Sequence, residues 1–210
     1  MQGAPARQEV PTHPALAGLL TMQGGGVYGV DSASLALLLM AGPSAQGRWC
    51  GVVGAPDLNV EAAVAMGVDP HRTVLVPDPG ERWLEATAAL VDVLGLVVVR
   101  PPATVAEGEA ARLVARLRKH GSVLVPWGAW PRADARLEVV GTRWAGADHG
   151  AGHLRDRQVT LRVARGSAPA HTRELLLPAA DLTVRRVEPR GGQQSRVDPS
   201  VVAPAVSAAG

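Results

Sequence analysis

The sequence is short of aromatic residues, cysteine and lysine. Its 210 residues include five Trp, one Tyr and no Phe, so Leu, Val and Ala must build the core of a chain that is 47% hydrophobic. Cys50 is the only cysteine, which excludes a disulfide within the chain. It lies in an apolar run, and this favours a buried packing role over a nucleophile.

Positive charge is carried almost wholly by arginine, because Lys119 is the only lysine. The formal net charge is +2, which is too small by itself to indicate nucleic-acid binding. No apolar run approaches the roughly 20 residues that span a bilayer, and no signal peptide is recognised. We therefore expect a cytoplasmic protein with no membrane partner. A chain of this length can bury a substantial core in one domain.

Short apolar runs alternate with helical segments through most of the chain, which predicts an α/β fold with a mostly parallel sheet. Strands are predicted at 49–53, 73–76, 96–99 and 122–125. Helices are predicted at 34–41, 80–94, 105–119 and in a short segment that ends at Met66 and is capped by Asn59 or Asp57. Antiparallel strands are predicted at 136–144 and 158–165, with a final hairpin of 175–177 and 182–184. The domain prediction is a flexible segment 1–15, one core domain 16–188 and a disordered tail 189–210.

A glycine-rich segment from Gly26 to Ala33 precedes the first predicted helix. A strand, a glycine turn and a helix in this order form the context of a phosphate-binding loop, G-x-x-x-x-G-K-[ST]. Gly26 matches the first glycine and Gly29 lies within the loop. Asp31, Ser32 and Ala33 stand where the second glycine, the lysine and the hydroxyl residue belong. Asp31 is also predicted to cap the helix, where its charge would repel a triphosphate. The pattern predicts a degenerate phosphate loop.

The passage 66–81, with Gly67-Val68-Asp69 and Pro77-Asp78-Pro79-Gly80-Glu81, resembles the RecA ATPase core. Weaker similarity extends from about Gly24 to Arg165. The resemblance implies a RecA-like sheet, mostly parallel and flanked by helices, with antiparallel strands added at the C-terminal side.

The same resemblance implies catalytic positions that this sequence does not fill. A catalytic glutamate normally follows the second strand, where Gly54, Ala55 and Pro56 stand. An aspartate that positions magnesium normally ends the next apolar strand, where Arg100 stands. Without lysine and metal, charge on a transferred phosphoryl group has no stabilising partner. The resemblance therefore implies a pseudo-ATPase with no catalytic residue, cofactor or metal.

The chain is similar to the ImuA family in two respects. It leaves little room for DNA-binding loops, at 101–107 and between Trp127 and Arg136, and its C-terminal part is rich in arginine. Members of this family are actinobacterial accessory proteins of the DNA-damage-induced (SOS) mutasome. The resemblance implies a non-catalytic adaptor in mutagenesis and translesion synthesis. Its implied partners are the inactive polymerase-like protein ImuB and an error-prone DNA polymerase, with RecA and a weak DNA contact as further candidates. Two alternatives stay open: a DNA-binding modulator of RecA filaments, and an atypical nucleotide hydrolase that depends on a partner.

Candidate contacts with a partner or DNA lie in two basic groups. The first is a stripe opposite the apolar face of the predicted helix 105–119, for which an ordinary solvated face is the alternative: Arg112, Arg116 and Lys119. The second group precedes the predicted tail: Arg185, Arg186 and Arg190.

Two further groups have structural explanations. Trp127 and Trp130 end a predicted strand, and the scarcity of aromatic residues favours burial over base stacking. His149 and His153, beside Asp148, have the spacing of a zinc pair on a helix. The intervening glycines favour a solvated loop instead.

Overall fold

The computed structural model describes residues 8–145, 156–179 and 181–187. The strands in chain order are β1 (Glu9–Val10), β2 (Met22–Gln23), β3 (Tyr28–Val30), β4 (Cys50–Val53), β5 (Thr73–Val76), β6 (Leu96–Val99), β7 (Val123–Pro126), β8 (Ala135–Ala145), β9 (Asp156–Ala164), β10 (His171–Leu176) and β11 (Arg185–Arg186). The α-helices are α1 (Ala33–Ala45), α2 (Val60–Ala65), α3 (Trp83–Val91) and α4 (Glu107–His120).

The main sheet has a parallel half and an antiparallel half. Strands β5, β4, β6 and β7 lie side by side in that order and are all parallel. β3 continues the sheet beside β7 through the parallel bridges Val27–Leu124 and Val30–Trp127. β8 pairs in parallel with the other side of β3, and β9, β10 and β11 follow as an antiparallel ladder. The predicted α/β class is confirmed, and so is the addition of antiparallel strands on the C-terminal side.

Helices cover both faces of the parallel strands, as continuous apolar strands require. In β6, Leu96 and Val98 face the cluster that contains α1, whereas Val97 and Val99 face the cluster built with α3 and α4. Residues 35–44 of α1 are all buried. This helix therefore has no polar stripe, which is the expected property of a helix inside the core.

The N-terminal segment packs on the same face as α1. Val10 of β1 lies opposite Met22 of β2, and both are buried. A 3-10 turn, Pro14–Leu16, follows β1 and buries Leu16 completely. Apolar burial thus packs Val10, Ala15 and Leu16 against the core, and the predicted flexibility of the segment 1–15 stays a prediction. Residues 1–7 lie outside the described part of the chain.

Several predicted boundaries differ from the structure. The predicted helix 80–94 divides into a 3-10 turn, Gly80–Arg82, and α3. The last strand is β11 and not 182–184, because the N–H of Leu182 donates to the carbonyl of Ala179 at 2.9 Å in a turn. The predicted tail 189–210 lies outside the described residues.

Candidate functional site at the carboxyl edge of the sheet

The carboxyl ends of β3, β4, β6 and β7 meet at one edge of the sheet. In open α/β sheets this edge is where ligands bind. The loops that follow these strands carry Asp31, Asp57, Arg100 and Trp127. Arg100 contacts both Asp57 and Trp127, and we call these three residues the edge cluster.

Arg100 lies at the centre of the edge cluster. Its Nη1 donates to the two carboxylate oxygens of Asp57, at 2.8 and 3.0 Å. Its guanidinium carbon lies 4.6 Å from the ring centroid of Trp127. The hydrogen bond from Arg100 holds the pKa of the Asp57 carboxyl below its usual value, so the pair is ionised at neutral pH. A guanidinium here repels a divalent cation, and it does not lose its proton in proteins, so it cannot act as a general base.

Gly54 explains why no acidic side chain can directly follow β4. Its φ is +77°, and a Cβ at this position would lie 2.5 Å from the carbonyl oxygen of Arg100. The N–H of Arg100 donates to the carbonyl of Val53 at 2.9 Å, which fixes this approach. A side chain at position 54 would have to displace the chain at the end of β6. A magnesium-dependent ATPase site of the kind implied by the resemblance does not fit these residues.

The turn between β3 and α1 contains only Asp31 and Ser32. The prediction that Asp31 caps α1 is wrong, because its Oδ2 accepts from the N–H of Val139 in β8 at 2.9 Å. Ser32 is the N-cap residue, and its side chain makes no capping hydrogen bond with any residue that the structure describes. Asp31 thus ties β3 to β8 instead of satisfying the helix.

Gly26 and Gly29 do not belong to this turn. Gly29 is the central residue of β3, and Gly26 precedes β3 at the amino edge of the sheet. The predicted glycine turn from Gly26 to Ala33 is therefore wrong. Val27 and Val30 are buried and draw the segment into the sheet. Only its last three residues, Asp31, Ser32 and Ala33, lie at the carboxyl edge.

A cleft of about 440 Å³ lies beside the edge cluster. It is bounded by the first turn of α1, by α2 and by Pro178 and Leu182, and we call it the α1–α2 cleft. Apolar side chains supply most of its lining, which also includes Arg157 of β9 and Asp57. The Nη1 of Arg157 lies 3.4 Å from the hydroxyl of Ser34. Asp57 is already paired with Arg100, whereas Arg157 has no carboxylate partner among the described residues.

Residues 14–132 match the MT3502 N-terminal domain family. This is more than half of the chain. The chain belongs to that family. The matched region contains the whole edge cluster and ends before β8, so Arg157 and the antiparallel strands β8–β11 lie outside it.

The chain is also similar to the uncharacterized protein Rv3395c of Mycobacterium tuberculosis. It is 39% identical over 116 residues, which are 53% of this chain and 57% of the relative. The chain therefore spans little more than half the length of that protein.

The predicted basic stripe lies on the exposed side of α4, opposite the buried Ala110, Leu113 and Leu117. Arg116 is not a free cation, since it pairs with Asp92 at the end of α3. Arg112 and Lys119 are exposed and form no ion pair with the described residues. Lys119 lies in the last turn of α4, which leads to the amino end of β7. The only lysine therefore lies near the edge of the sheet opposite the edge cluster.

Three arginines of the antiparallel half hold the N-terminal segment. Arg186 donates to the carbonyls of Pro14, Ala15 and Ala17. Arg173 donates to Ala17 and Arg165 to Leu19, at 2.7 and 2.8 Å. Arg185 is exposed beside Asp181, at 3.8 Å. Of the three predicted contact residues, Arg186 is thus engaged internally, and Arg190 lies outside the described residues.

The tryptophans at the end of β7 are partly buried. Trp127 packs against one core cluster and Trp130 against the other. Asp148, His149 and His153 lie outside the described residues. Within the part of the chain that is described, no group of three His, Cys, Asp or Glu side chains could hold a metal. In the same part, no helix has the length and hydropathy to cross a membrane.

Sequence reasoning missed the contact between Asp57 and Arg100 and the position of Arg157. The first pair is separated by 43 residues. Their placement directly after two predicted parallel strands was the available signal, because the residues that follow parallel strands lie at one edge of the sheet. Arg157 gave no such signal, since it lies near the start of β9, in the antiparallel ladder and away from the carboxyl ends of the parallel strands.

Proposed function

We propose that this chain is a non-catalytic, RecA-like adaptor in DNA-damage-induced mutagenesis and translesion synthesis. In this proposal it binds a polymerase-like protein of the ImuB type and, through it, an error-prone DNA polymerase. Its work is recognition by surfaces, with no turnover of nucleotide.

The RecA-like part of the proposal is supported by the sheet. A central strand, β3, leads directly into a buried helix and lies beside parallel strands whose carboxyl ends converge. The segment that carries the sequence resemblance, residues 66–81, contains edge strand β5 and the turns on either side of it.

The edge cluster supports the loss of catalysis. The position of Arg100 at the end of β6 is the observation that carries the proposal. Its charge occupies the place that the resemblance gives to a magnesium-positioning aspartate. Gly54 excludes a side chain where the catalytic glutamate would stand. The turn before α1 is too short to surround a phosphate chain, and it carries Asp31 in place of a cation.

A capture experiment tests the adaptor function. The tagged full chain is expressed with the ImuB-type protein of the same organism and recovered at low and at high salt. We expect the partner to be retained in high salt and without added nucleotide, because apolar contacts resist screening. Failure to recover this partner under any condition would contradict the proposal.

The exposed Arg112 and Lys119 favour modulation of RecA filaments as a second candidate function. Two cations on one helix face that form no ion pair with the described residues are suited to weak contacts with DNA phosphates. This alternative predicts single-strand binding that falls steeply with salt and that weakens when both residues are replaced by Gln.

A further inference from the structure

The α1–α2 cleft combines an apolar lining with the positive charge of Arg157, which forms no ion pair with the described residues. Leu37, Leu58 and Met66 line it from α1, the loop after β4 and the end of α2. Its volume of about 440 Å³ lies within the roughly 300–1,000 Å³ range of ligand pockets. An apolar cleft of this size is suited to a few hydrophobic side chains.

Arg157 supplies the charge. Its contacts within the described residues are the Ser34 hydroxyl at 3.4 Å and the Trp144 ring, whose centroid lies 5.9 Å from the guanidinium carbon. Its Nε is buried and donates to no atom of the described structure. The planar guanidinium group of arginine is suited to a carboxylate, which it binds through two parallel hydrogen bonds. An acceptor with negative charge is the group that best fits Arg157.

The other charges around the cleft also favour a negatively charged occupant. The first turn of α1 carries no acidic residue, and Ser32 does not cap it with its side chain within the described structure. The N-terminus of this helix therefore adds positive potential near Arg157. Asp57 is the acidic residue in the lining, and Arg100 offsets its charge. An anionic group is favoured on the Arg157 side.

Leu182 indicates that the occupant is part of a protein. It lines the mouth of the cleft, is 57% exposed and has a φ of 63°. A leucine rarely adopts left-handed backbone, and such outliers cluster at functional sites. A hydrogen bond from the N–H of Leu182 to the carbonyl of Ala179 holds this turn, and the apolar side chain of Leu182 is exposed to solvent. Exposed apolar side chains around a pocket are typical of protein contacts.

We propose that the α1–α2 cleft binds a segment of a protein partner in which an acidic residue accompanies apolar side chains, with Arg157 binding the carboxylate. This inference deepens the proposed adaptor function and rests on it, because it assigns the cleft to a protein and not to a nucleotide.

Short random peptides displayed on phage and selected on the full chain provide the probe. The enriched peptides are synthesised and titrated by calorimetry against the wild type and variants. We expect Asp or Glu beside apolar residues in the enriched sequences. Binding should weaken about tenfold or more in Arg157→Glu and less in Arg157→Lys, because charge-assisted hydrogen bonds are lost or reduced.

Ala62→Trp is the second variant, since it fills the cleft and leaves Arg157 in place. It should also weaken binding, whereas Arg112→Glu, the same charge change on α4, should not. Circular dichroism confirms that each variant is folded. The inference is overturned if the peptides lack acidic residues, or if Arg157→Glu and Ala62→Trp bind them as the wild type does.

The two proposals fail differently. If the ImuB-type partner binds the wild type and both cleft variants equally, the adaptor function survives and the cleft assignment is wrong. If no such partner binds while acidic peptides occupy the cleft, the ImuB-type assignment fails.

Discussion

Gly54 lies beneath the carbonyl oxygen of Arg100, where a Cβ would approach to 2.5 Å. Gly67 offers a matched control, because its φ is +92° and a Cβ there meets nothing within 4 Å. Both glycines are followed by a turn of the chain, but only Gly54 is closed in by a neighbouring strand. The difference between them isolates the steric contact from the backbone preference.

We predict that Gly67→Ala costs about 1–2 kcal/mol, the usual penalty of left-handed backbone for a residue with a Cβ. Gly54→Ala should cost about 2–4 kcal/mol, because overpacking adds to that penalty. Urea unfolding followed by circular dichroism measures both. Equal losses of unfolding free energy in the two variants would show that the carbonyl of Arg100 does not restrict a side chain at position 54.

Asp57 and Arg100 form an ion pair whose effect depends on pH. Because the folded-state pKa of Asp57 is lowered, the pair stabilises the fold at neutral pH, and this contribution is lost as pH falls through that pKa. A double-mutant cycle of Asp57→Asn and Arg100→Ala should give a favourable coupling at neutral pH that disappears when the carboxyl is protonated.

Asp78 supplies the control for that cycle, since it is exposed and makes no ion pair within the described residues. Asp78→Asn should show no coupling with Arg100→Ala. Arg100→Ala should remain destabilising in acid, because the contact with Trp127 does not depend on the carboxyl. A coupling that is unchanged in acid would contradict the assigned ion pair.

Among the elements, the parallel strands were the most predictable. Leu96–Val99 is a continuous apolar run, and only a strand covered on both faces buries all of it. β3 was not predicted, because Gly29 weakens a short run whose burial is decided by distant strands. The order of strands brings Asp57, Arg100 and Trp127 together, so the site itself could not be read from spacing along the chain.

The contact between β11 and the N-terminal 3-10 turn is another feature that the sequence did not predict. Arg186→Ala should lower stability by about 2 kcal/mol, since its guanidinium donates to carbonyls of the segment 14–17. Arg185→Ala, one position away, should change stability by less than about 0.5 kcal/mol. Thermal unfolding of the two variants provides the comparison. Similar losses in both would contradict the internal role of Arg186.

For the molecule as a whole, the two edges of the sheet carry different charged side chains. The carboxyl edge, where a nucleotide would need a cation, offers Asp31 and an arginine that is paired with Asp57. Lys119 lies near the opposite edge. The family match covers this parallel half, whereas the arginine-rich ladder that follows lies outside it. We therefore propose that partner binding, and not metal or phosphate binding, is the role of this scaffold.

The most direct measurement is calorimetric titration of the full chain with ATP and magnesium, with phosphate release followed in parallel. We predict no saturable heat and no phosphate above the background without protein. Binding at micromolar concentration together with turnover would contradict the central claim that this fold has lost its ATPase.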